Sequence, residues 1–585
     1  MSNNIKLFNK LSKRRKLQLF GLLILMFIAS IAEIISISAI LPFLGILTNP
    51  EIVFNNNYAK PILELLKINN PVELLFPVTI FFITAISFSG IIRIMLMWIQ
   101  IELSYAIGAD LSIDIYSRSL FQPYDIQISR NSSQIISAIA NKVNAVVSST
   151  IQPILNIVGS SFLLFLIITT LIFVNFKITF FTFLTFGFIY LIIILITKKK
   201  LKYLSKIVNN ESNHVIKALQ EGLGGIRDIL IDGSQSTYIK QYRNSDVPLR
   251  KAQSKIAIIS GIPRLIVETI GLLLISIISY FFITNKQIDA SESIVPILGL
   301  IALSAQKLLP ILQQYFLSWT SIKGNEAVLD EILTLLNQPF PDFSNNHEDR
   351  AFTFNNQIKI ADLKFRYTNN SELILENVNL TIKKGSIIGI VGKTGGGKST
   401  LIDLIMGLLT PTSGVLMVDN VNITNENSRF WQKYIAHVPQ NIFLSDASIK
   451  ENIAFGIEYK LIDFDKVIEC AKKAQLYDSI LSWEHKFDTI VGERGVRLSG
   501  GQRQRIGIAR ALYRKSQLIV FDEATSALDE TTEKEIIDAI DKLDKNLTII
   551  IIAHRLSTLK NCSEIYSIDQ KSVSKFNYDN KLITL

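Results

Sequence analysis

The run Gly392-Lys393-Thr394-Gly395-Gly396-Gly397-Lys398-Ser399-Thr400 collects residue types suited to holding phosphate. An apolar strand, Ile387 to Val391, precedes it, and a helix is expected from about Ser399. Glycines let a backbone wrap closely around phosphate oxygens and aim successive N–H groups inward, and the helix N-terminus adds a favourable dipole. Lys398 supplies a point charge for the β and γ phosphates of a nucleotide, and Ser399 a hydroxyl ligand for Mg²⁺. A tight glycine turn would need neither the lysine nor the hydroxyl. Downstream, Leu518-Ile519-Val520-Phe521-Asp522-Glu523 reads as a buried strand ending in two carboxylates. Asp522 suits holding Mg²⁺ through its water shell, and Glu523 suits taking a proton from, or orienting, the water that attacks the γ-phosphate. Taken alone, two acids after a strand would be a solvated strand end; the glycine loop upstream is what gives them chemistry.

With Leu498-Ser499-Gly500-Gly501-Gln502 just before a further helix, the chain resembles the ATP-binding cassette (ABC) transporters, whose signature motif this is. The resemblance implies two cassettes facing head to tail, with Ser499 and Gly501 of one, flanked by Gly500 and Gln502, capping the ATP γ-phosphate held in the other's loop. A glycine-rich helix N-terminus offering N–H donors to an anion is consistent with that role, although the same residues could form a bare hinge. Other positions match the family one by one. Tyr367, in Phe365-Arg366-Tyr367, stands where an aromatic stacks on adenine. Gln440, in Val438-Pro439-Gln440, matches the glutamine that contacts Mg²⁺ and the attacking water. Asp529, in Ser526-Ala527-Leu528-Asp529, matches the loop that crosses the cassette dimer, and His554, after the strand Thr548 to Ile552, the switch histidine at the γ-phosphate. None of these positions is degenerate, so a homodimer would have two competent sites; a heterodimer remains open.

The elements that position these residues are of two kinds. Of the 585 residues, 49% are hydrophobic and 19% charged, with a mean hydropathy of +0.33, which points to membrane-embedded chain for part of the length. About six apolar runs could each span a bilayer, which takes ~20 helical residues. They lie near Leu17 to Leu47, Phe76 to Gln100, Ile151 to Val174, Ile178 to Ile196, Leu265 to Thr284 and Ile294 to Tyr315. The first run is too long for a cleaved signal peptide. Polar stretches at about 101 to 150 and 198 to 262 mix charges and apolar residues at helical spacing, which fits spans that continue into the cytosol and turn back there. In the first outer loop, Tyr58 to Ile68 reads either as a helix on the outer membrane surface or as an ordinary packed loop helix.

Pro339, Pro341, Asn345, Asn346 and His347 mark a turn-rich linker over 337–352. The organisation expected is an all-α, exporter-type membrane domain over 1–336 and, over 353–585, an α/β P-loop NTPase domain with a largely parallel sheet. The net charge of +10 does not imply nucleic acid, because Lys6, Lys10, Lys13, Arg14, Arg15 and Lys16 adjoin an apolar run and no zinc spacing or aromatic RNA motif accompanies them. That cluster and Lys198, Lys199, Lys200 and Lys202 place both termini on the cytoplasmic side by the positive-inside rule. Cys470 and Cys562 read as reduced thiols.

Fusion of spans ahead of a cassette resembles the exporter branch, in a bacterial cytoplasmic membrane. Its inner turns, here near Tyr124 to Asn131 and Asp232 to Tyr238, would be coupling helices. Glu221-Gly222-Leu223-Gly224-Gly225-Ile226-Arg227-Asp228-Ile229 and Ala32-Glu33-Ile34 look most like the flippases of lipid-linked oligosaccharides, which implies a glycolipid cargo. Arg93, Arg264 and Lys307 lie in or beside apolar runs and could line a cavity for a diphosphate; snorkelling, or pairing with Glu33 or Glu268, is the alternative. Phospholipid, peptide or drug export are rival cargoes, and a membrane-anchored, non-transporting cassette ATPase is a rival class.

Overall fold

The computed structural model describes residues 3–39, 43, 46, 54, 70–174, 176–284, 294–340, 352–368, 370–523, 546–553 and 559–576. They divide into two compact units, Met1–Gln122 with Arg130–Phe340, and Pro123–Ser129 with Pro341–Leu585. The segment Tyr58 to Ile68 and most of the expected linker fall outside the described residues.

In the first unit the chain runs as helices α1 (Asn3–Lys10), α2 (Lys13–Ser38), α3 (Leu75–Leu120), α4 (Gln152–Val174), α5 (Phe176–Gly224), α6 (Gln235–Thr284), α7 (Ile294–Gly324) and α8 (Glu326–Leu336). Helices α2 to α7 fall on the six apolar runs of the sequence. Helix is the form that satisfies every backbone polar group within one segment, which lipid demands. At 46, 49 and 50 residues, α3, α5 and α6 each extend about 70 Å, more than twice the ~30 Å hydrocarbon layer, so they carry on through the polar stretches. Among the described residues, Lys13–Ser38, Leu75–Leu120 and Ser132–Thr170 are long and apolar enough to cross a membrane. Phe81, Phe88, Ile91, Ile94 and Trp98 of α3 point outward rather than into the unit, as lipid-facing side chains do.

The approach to α4 is less regular than its sequence suggests. Two π-turns, Ala138–Lys142 and Val147–Ile151, flank the short helix Val143–Val146. Gly108 of α3 faces the second of them, and a Cβ there would lie 2.5 Å from Val147 Cγ2, so the glycine is what allows this approach. Lys142, at the end of the first π-turn, is 2% exposed; its Nζ donates to Glu331 of α8 at 2.6 Å and to Asn209 of α5 at 2.9 Å. One buried cation thereby ties three separate elements together. At the start of the chain, Ser12 caps α2 by accepting from Arg15 N, and the Arg15 guanidinium pairs with Asp110 of α3 at 2.8 Å.

The second unit contains two sheets. An antiparallel one orders β2 (Leu375–Lys383), β1 (Gln357–Phe365), β4 (Ser413–Val418) and β5 (Val421–Asn422). A six-stranded one runs β10 (Ser572–Lys575), β9 (Glu564–Asp569), β3 (Ile387–Gly392), β8 (Thr548–Ile552), β7 (Leu518–Asp522), β6 (Ile435–Val438), parallel except for the β9–β10 pair. Its central strands β3, β7 and β8 are largely apolar on both faces because both are covered. Ile388, Ile390, Leu518, Val520, Ile550 and Ile552 enter one core, while Val391, Ile519, Phe521, Ile549 and Ile551 enter the other.

Glu331→Ala would leave the Lys142 ammonium buried without its carboxylate, and should cost about 3 kcal/mol, read as a lower unfolding midpoint of the full chain in detergent. The double variant Lys142→Met with Glu331→Leu should recover most of that loss. A double variant as unstable as the single one would show that packing, not the stranded charge, sets the penalty.

Candidate active site

In a parallel sheet, the carboxyl ends of adjacent strands open on one side, and loops leaving them can converge there. Here β3 leads into the glycine loop, β7 ends in Asp522 and Glu523, and β6 leads to Gln440. Pairing of β3 with β8, β8 with β7 and β7 with β6 brings these three ends side by side.

After β3 the chain turns through Gly395 and Gly397, both at positive φ, into the helix α9 (Lys398–Ile405). Gly397, at φ +97, takes a backbone form that side chains disfavour, and it starts the helix directly beneath the loop. Lys398 is 7% exposed and folds back so that its Nζ donates to the carbonyls of Gly392 at 2.7 Å and Lys393 at 3.2 Å. Burial pulls the lysine's pKa down, against the opposing pull of Glu523 and Asp522. Lys393, Thr394, Gly396, Ser399 and Thr400 occupy the loop and first helical turn as the motif requires. Tyr367 is 43% exposed, and its hydroxyl lies 3.2 Å from Thr400 Oγ1, so the aromatic sits at the rim of this loop.

The acids cluster opposite the lysine. Burial and then Glu523 raise the Asp522 pKa, while Lys398 holds it back. Gln440 Nε2 donates to Glu523 Oε2 at 2.7 Å, joining two residues 83 positions apart. Glu523 adopts φ +50, a left-handed backbone that non-glycine residues seldom take and that concentrates at working sites. A further carboxylate, Asp403, stands on α9 four residues after Ser399 and so on the same helical face. Burial first and Asp522 second push its pKa up to about 6. Sequence inspection missed Asp403 because an acid inside a short helix carries no motif. Tyr124, carried into this unit by Pro123–Ser129, has its phenol pKa raised by burial, then by Asp403 and Tyr367.

Among the described residues no group of three or more His, Cys, Asp or Glu could hold a metal ion alone. The donors near the loop are oxygens, from Ser399, Asp522 and Gln440, which suit Mg²⁺ only if phosphate oxygens complete its shell. Three carboxylates opposed by one lysine also leave room for a cation in the local charge balance.

Ser499 caps the helix α10 (Gly500–Tyr513) through a reciprocal box, in which Ser499 Oγ accepts from Gln502 N and Gln502 Oε1 accepts from Ser499 N. The first-turn N–H groups of Gly500 and Gly501 are thus presented from a pre-shaped helix end. Helix α10 packs Ile506, Ile508, Ala509 and Ala511 into one core, whereas α9 packs Leu401, Ile402, Leu404 and Ile405 into the other. The two phosphate-directed helices therefore lie on opposite faces of one sheet. Arg510 of α10 donates to the carbonyls of Phe443 and Asn452, both at 2.9 Å, fixing α10 to the segment that follows Gln440. Nothing in the signature motif points to this arginine. Asp529 and His554 lie outside the described residues, as does the side chain of Lys307.

The first unit holds a cavity of about 440 Å³ lined from α2, α3, α4 and α7, with Glu33, Arg93, Gln100 and Asn156 as its strongly polar residues. Arg93 lines it and pairs with Glu33 at 3.1 Å, so lining and pairing coexist at this position. Arg264 does not line it; it pairs with Glu268 at 2.7 Å one turn along α6.

The family model described as ABC transporter matches residues 375–526. Multidrug resistance-like ATP-binding protein MdlA of Buchnera aphidicola subsp. Baizongia pistaciae is 32% identical over 495 residues, 82% of each chain. An ATP-dependent lipid A-core flippase of Pasteurella multocida is 27% identical over 475 residues, 80% of each. A solved bacterial Atm1-family ABC exporter with ATP bound shares the fold at a TM-score of 0.78 and 22% identity, covering 96% of this chain and 95% of its own.

The raised pKa of Asp403 has a defined sign. The folded state holds the proton up to about pH 6, against 3.8 for the ordinary carboxyl, so stability falls as pH rises through that window. Asp403→Asn should match the parent's unfolding midpoint near about pH 3.5, below that window, and exceed it by about 3 °C near about pH 7.5. An equal difference at both pH values would show that shape, not charge, is responsible.

Proposed function

The chain belongs to the ABC transporter family, as an exporter with its membrane unit and transport-coupled ATPase in one polypeptide, and from that premise we propose that it flips a glycolipid, of the lipid-linked oligosaccharide class, from the inner to the outer leaflet. The observation that carries this reading is the cavity among α2, α3, α4 and α7, where a guanidinium, a carboxylate and two amides interrupt otherwise apolar helices. Charged and amide side chains are costly inside a bilayer and mark a path for a polar group. Arg93 is suited to a phosphate of the cargo, with Glu33 holding the guanidinium in place between loads. The relatives named as lipid A-core flippases support a lipid cargo. The relative named as multidrug resistance-like favours a second reading, a small amphipathic drug.

Two chains would act together. Because α9 and α10 flank opposite faces of the same sheet, the capped helix end at Ser499 is better placed to serve a neighbour's phosphate loop than its own. That placement supports a homodimer with both sites shared across the interface, each site completed when the cassettes close. Within a site, the backbone of Gly392 to Gly397 and the Lys398 ammonium hold the β and γ phosphates, Tyr367 supports the adenine, and the partner's copies of Ser499, Gly500 and Gly501 cap the γ-phosphate. Asp529 and His554 would complete the shared surface. Ser399, Gln440 and Asp522 would hold Mg²⁺, which offsets phosphate charge. Glu523 accepts the proton of the attacking water, oriented by Gln440. Closure of the cassettes turns the cavity outward, and hydrolysis resets it. The basic start of α2, paired to the polar part of α3, supports cytoplasmic termini.

Glu523→Gln should retain ATP binding and dimer closure while turnover drops at least ~100-fold. Undiminished hydrolysis would remove Glu523 from the role of base. In proteoliposomes, a polyprenyl-diphosphate oligosaccharide should be flipped on ATP addition, and Arg93→Ala should slow flipping far more than hydrolysis. Stimulation by drug-like amphiphiles with no response to the glycolipid would decide for the second reading.

A further inference from the structure

Within that cavity, Gln100 of α3 and Asn156 of α4 form an amide pair, Gln100 Nε2 donating to Asn156 Oδ1 at 2.7 Å. The bond uses one donor hydrogen and one carbonyl. It leaves Gln100 Oε1 as an acceptor and Asn156 Nδ2 as a donor on the cavity wall; rotating both amides would still leave one of each. The neighbouring Ser30 does not donate to Gln100 Oε1, because its one hydroxyl hydrogen goes to the Met26 carbonyl at 2.8 Å. Glu33 and Arg93 form the charged pair of the same cavity at 3.1 Å. The polar capacity remaining at the amide pair is therefore uncharged and matched, with N–H donors beside carbonyl acceptors. Neighbouring hydroxyls of a sugar, each able to give and to take a hydrogen bond, complement that pattern; a hydrocarbon chain or a bare phosphate does not.

The placement suits a headgroup of defined order. Gln100 follows Arg93 by seven residues, two helical turns, so both project to one side of α3 with a rise of about 10 Å between them. We propose that Gln100 and Asn156 form a sugar-recognising subsite, reading hydroxyls of the sugar that follows the phosphates bound at Arg93. The subsite rests on the glycolipid reading above and deepens it: Arg93 takes the anion, and the amide pair tells a glycosylated lipid from its sugar-free form. An amide left unpaired in an apolar wall is costly, so a ligand lacking hydroxyls loses the matching bonds.

The test uses the full chain in proteoliposomes, with ATPase stimulation titrated by two probes, a polyprenyl-diphosphate oligosaccharide and the same polyprenyl diphosphate without sugar. In Gln100→Leu and Asn156→Leu, half-stimulation by the glycosylated lipid should need about tenfold more lipid, while the sugar-free lipid stays within about twofold of the parent. If the pair merely clamps α3 to α4, both lipids shift together and the unfolding midpoint falls; that outcome, or no shift at all, overturns the subsite. A parent protein that responds to neither probe refutes the glycolipid reading and the subsite with it. A parent that responds to the glycolipid, with variants that respond equally well, refutes the subsite alone.

Discussion

The α/β unit gathers its charge around one buried lysine facing several acids at the mouth of a parallel sheet. Lys398 is kept charged by Asp522 and Glu523 against the cost of its burial, and until an anion arrives it donates to the loop's own carbonyls. Burial and a neighbouring carboxylate raise the pKa of Asp522 and of Asp403, so charges of both signs lie in a small volume. The central strands β3, β7 and β8 are largely apolar and buried, and such a close-packed sheet is stiff enough to hold like charges close together.

A different solvent imposes a parallel rule on the helical unit. There, polar side chains pair across separate elements: Glu33 with Arg93, Gln100 with Asn156, Lys142 with Glu331 and Asn209. The first two pairs border a cavity. The third is enclosed beside the π-turns and anchors the long helices where they leave the apolar zone. Burial thus separates polar pairs suited to cargo from those suited to architecture.

Much of the nucleotide site was legible because its backbone geometry restricts which residues can serve. A loop that turns through positive φ at Gly395 and Gly397 beside a phosphate needs glycine, and the lysine and hydroxyl have few substitutes. Six apolar runs were equally plain, since a span has a fixed minimum length. What escaped notice depends on neighbours distant in sequence. Asp403 is an ordinary helical acid until Asp522 and burial act on it, and Arg510 is an ordinary helical arginine until it reaches the carbonyls of Phe443 and Asn452. The π-turns before α4 leave no trace in periodicity because they add only a residue or so to each turn.

The sequence by itself determined the ATPase loop, the acids that follow β7, the capped signature helix and the division into a helical and an α/β part. Each depends on local spacing or on the composition of one segment. Tertiary structure alone decided that α9 and α10 lie on opposite faces of the sheet, that Gln440 meets Glu523, and that Arg93 lines a cavity while Arg264 turns to Glu268. The two arginines lie in similar apolar surroundings along the chain. Their different roles follow from which helices pack beside them, and pairwise packing across hundreds of residues is not encoded in the spacing of any one element.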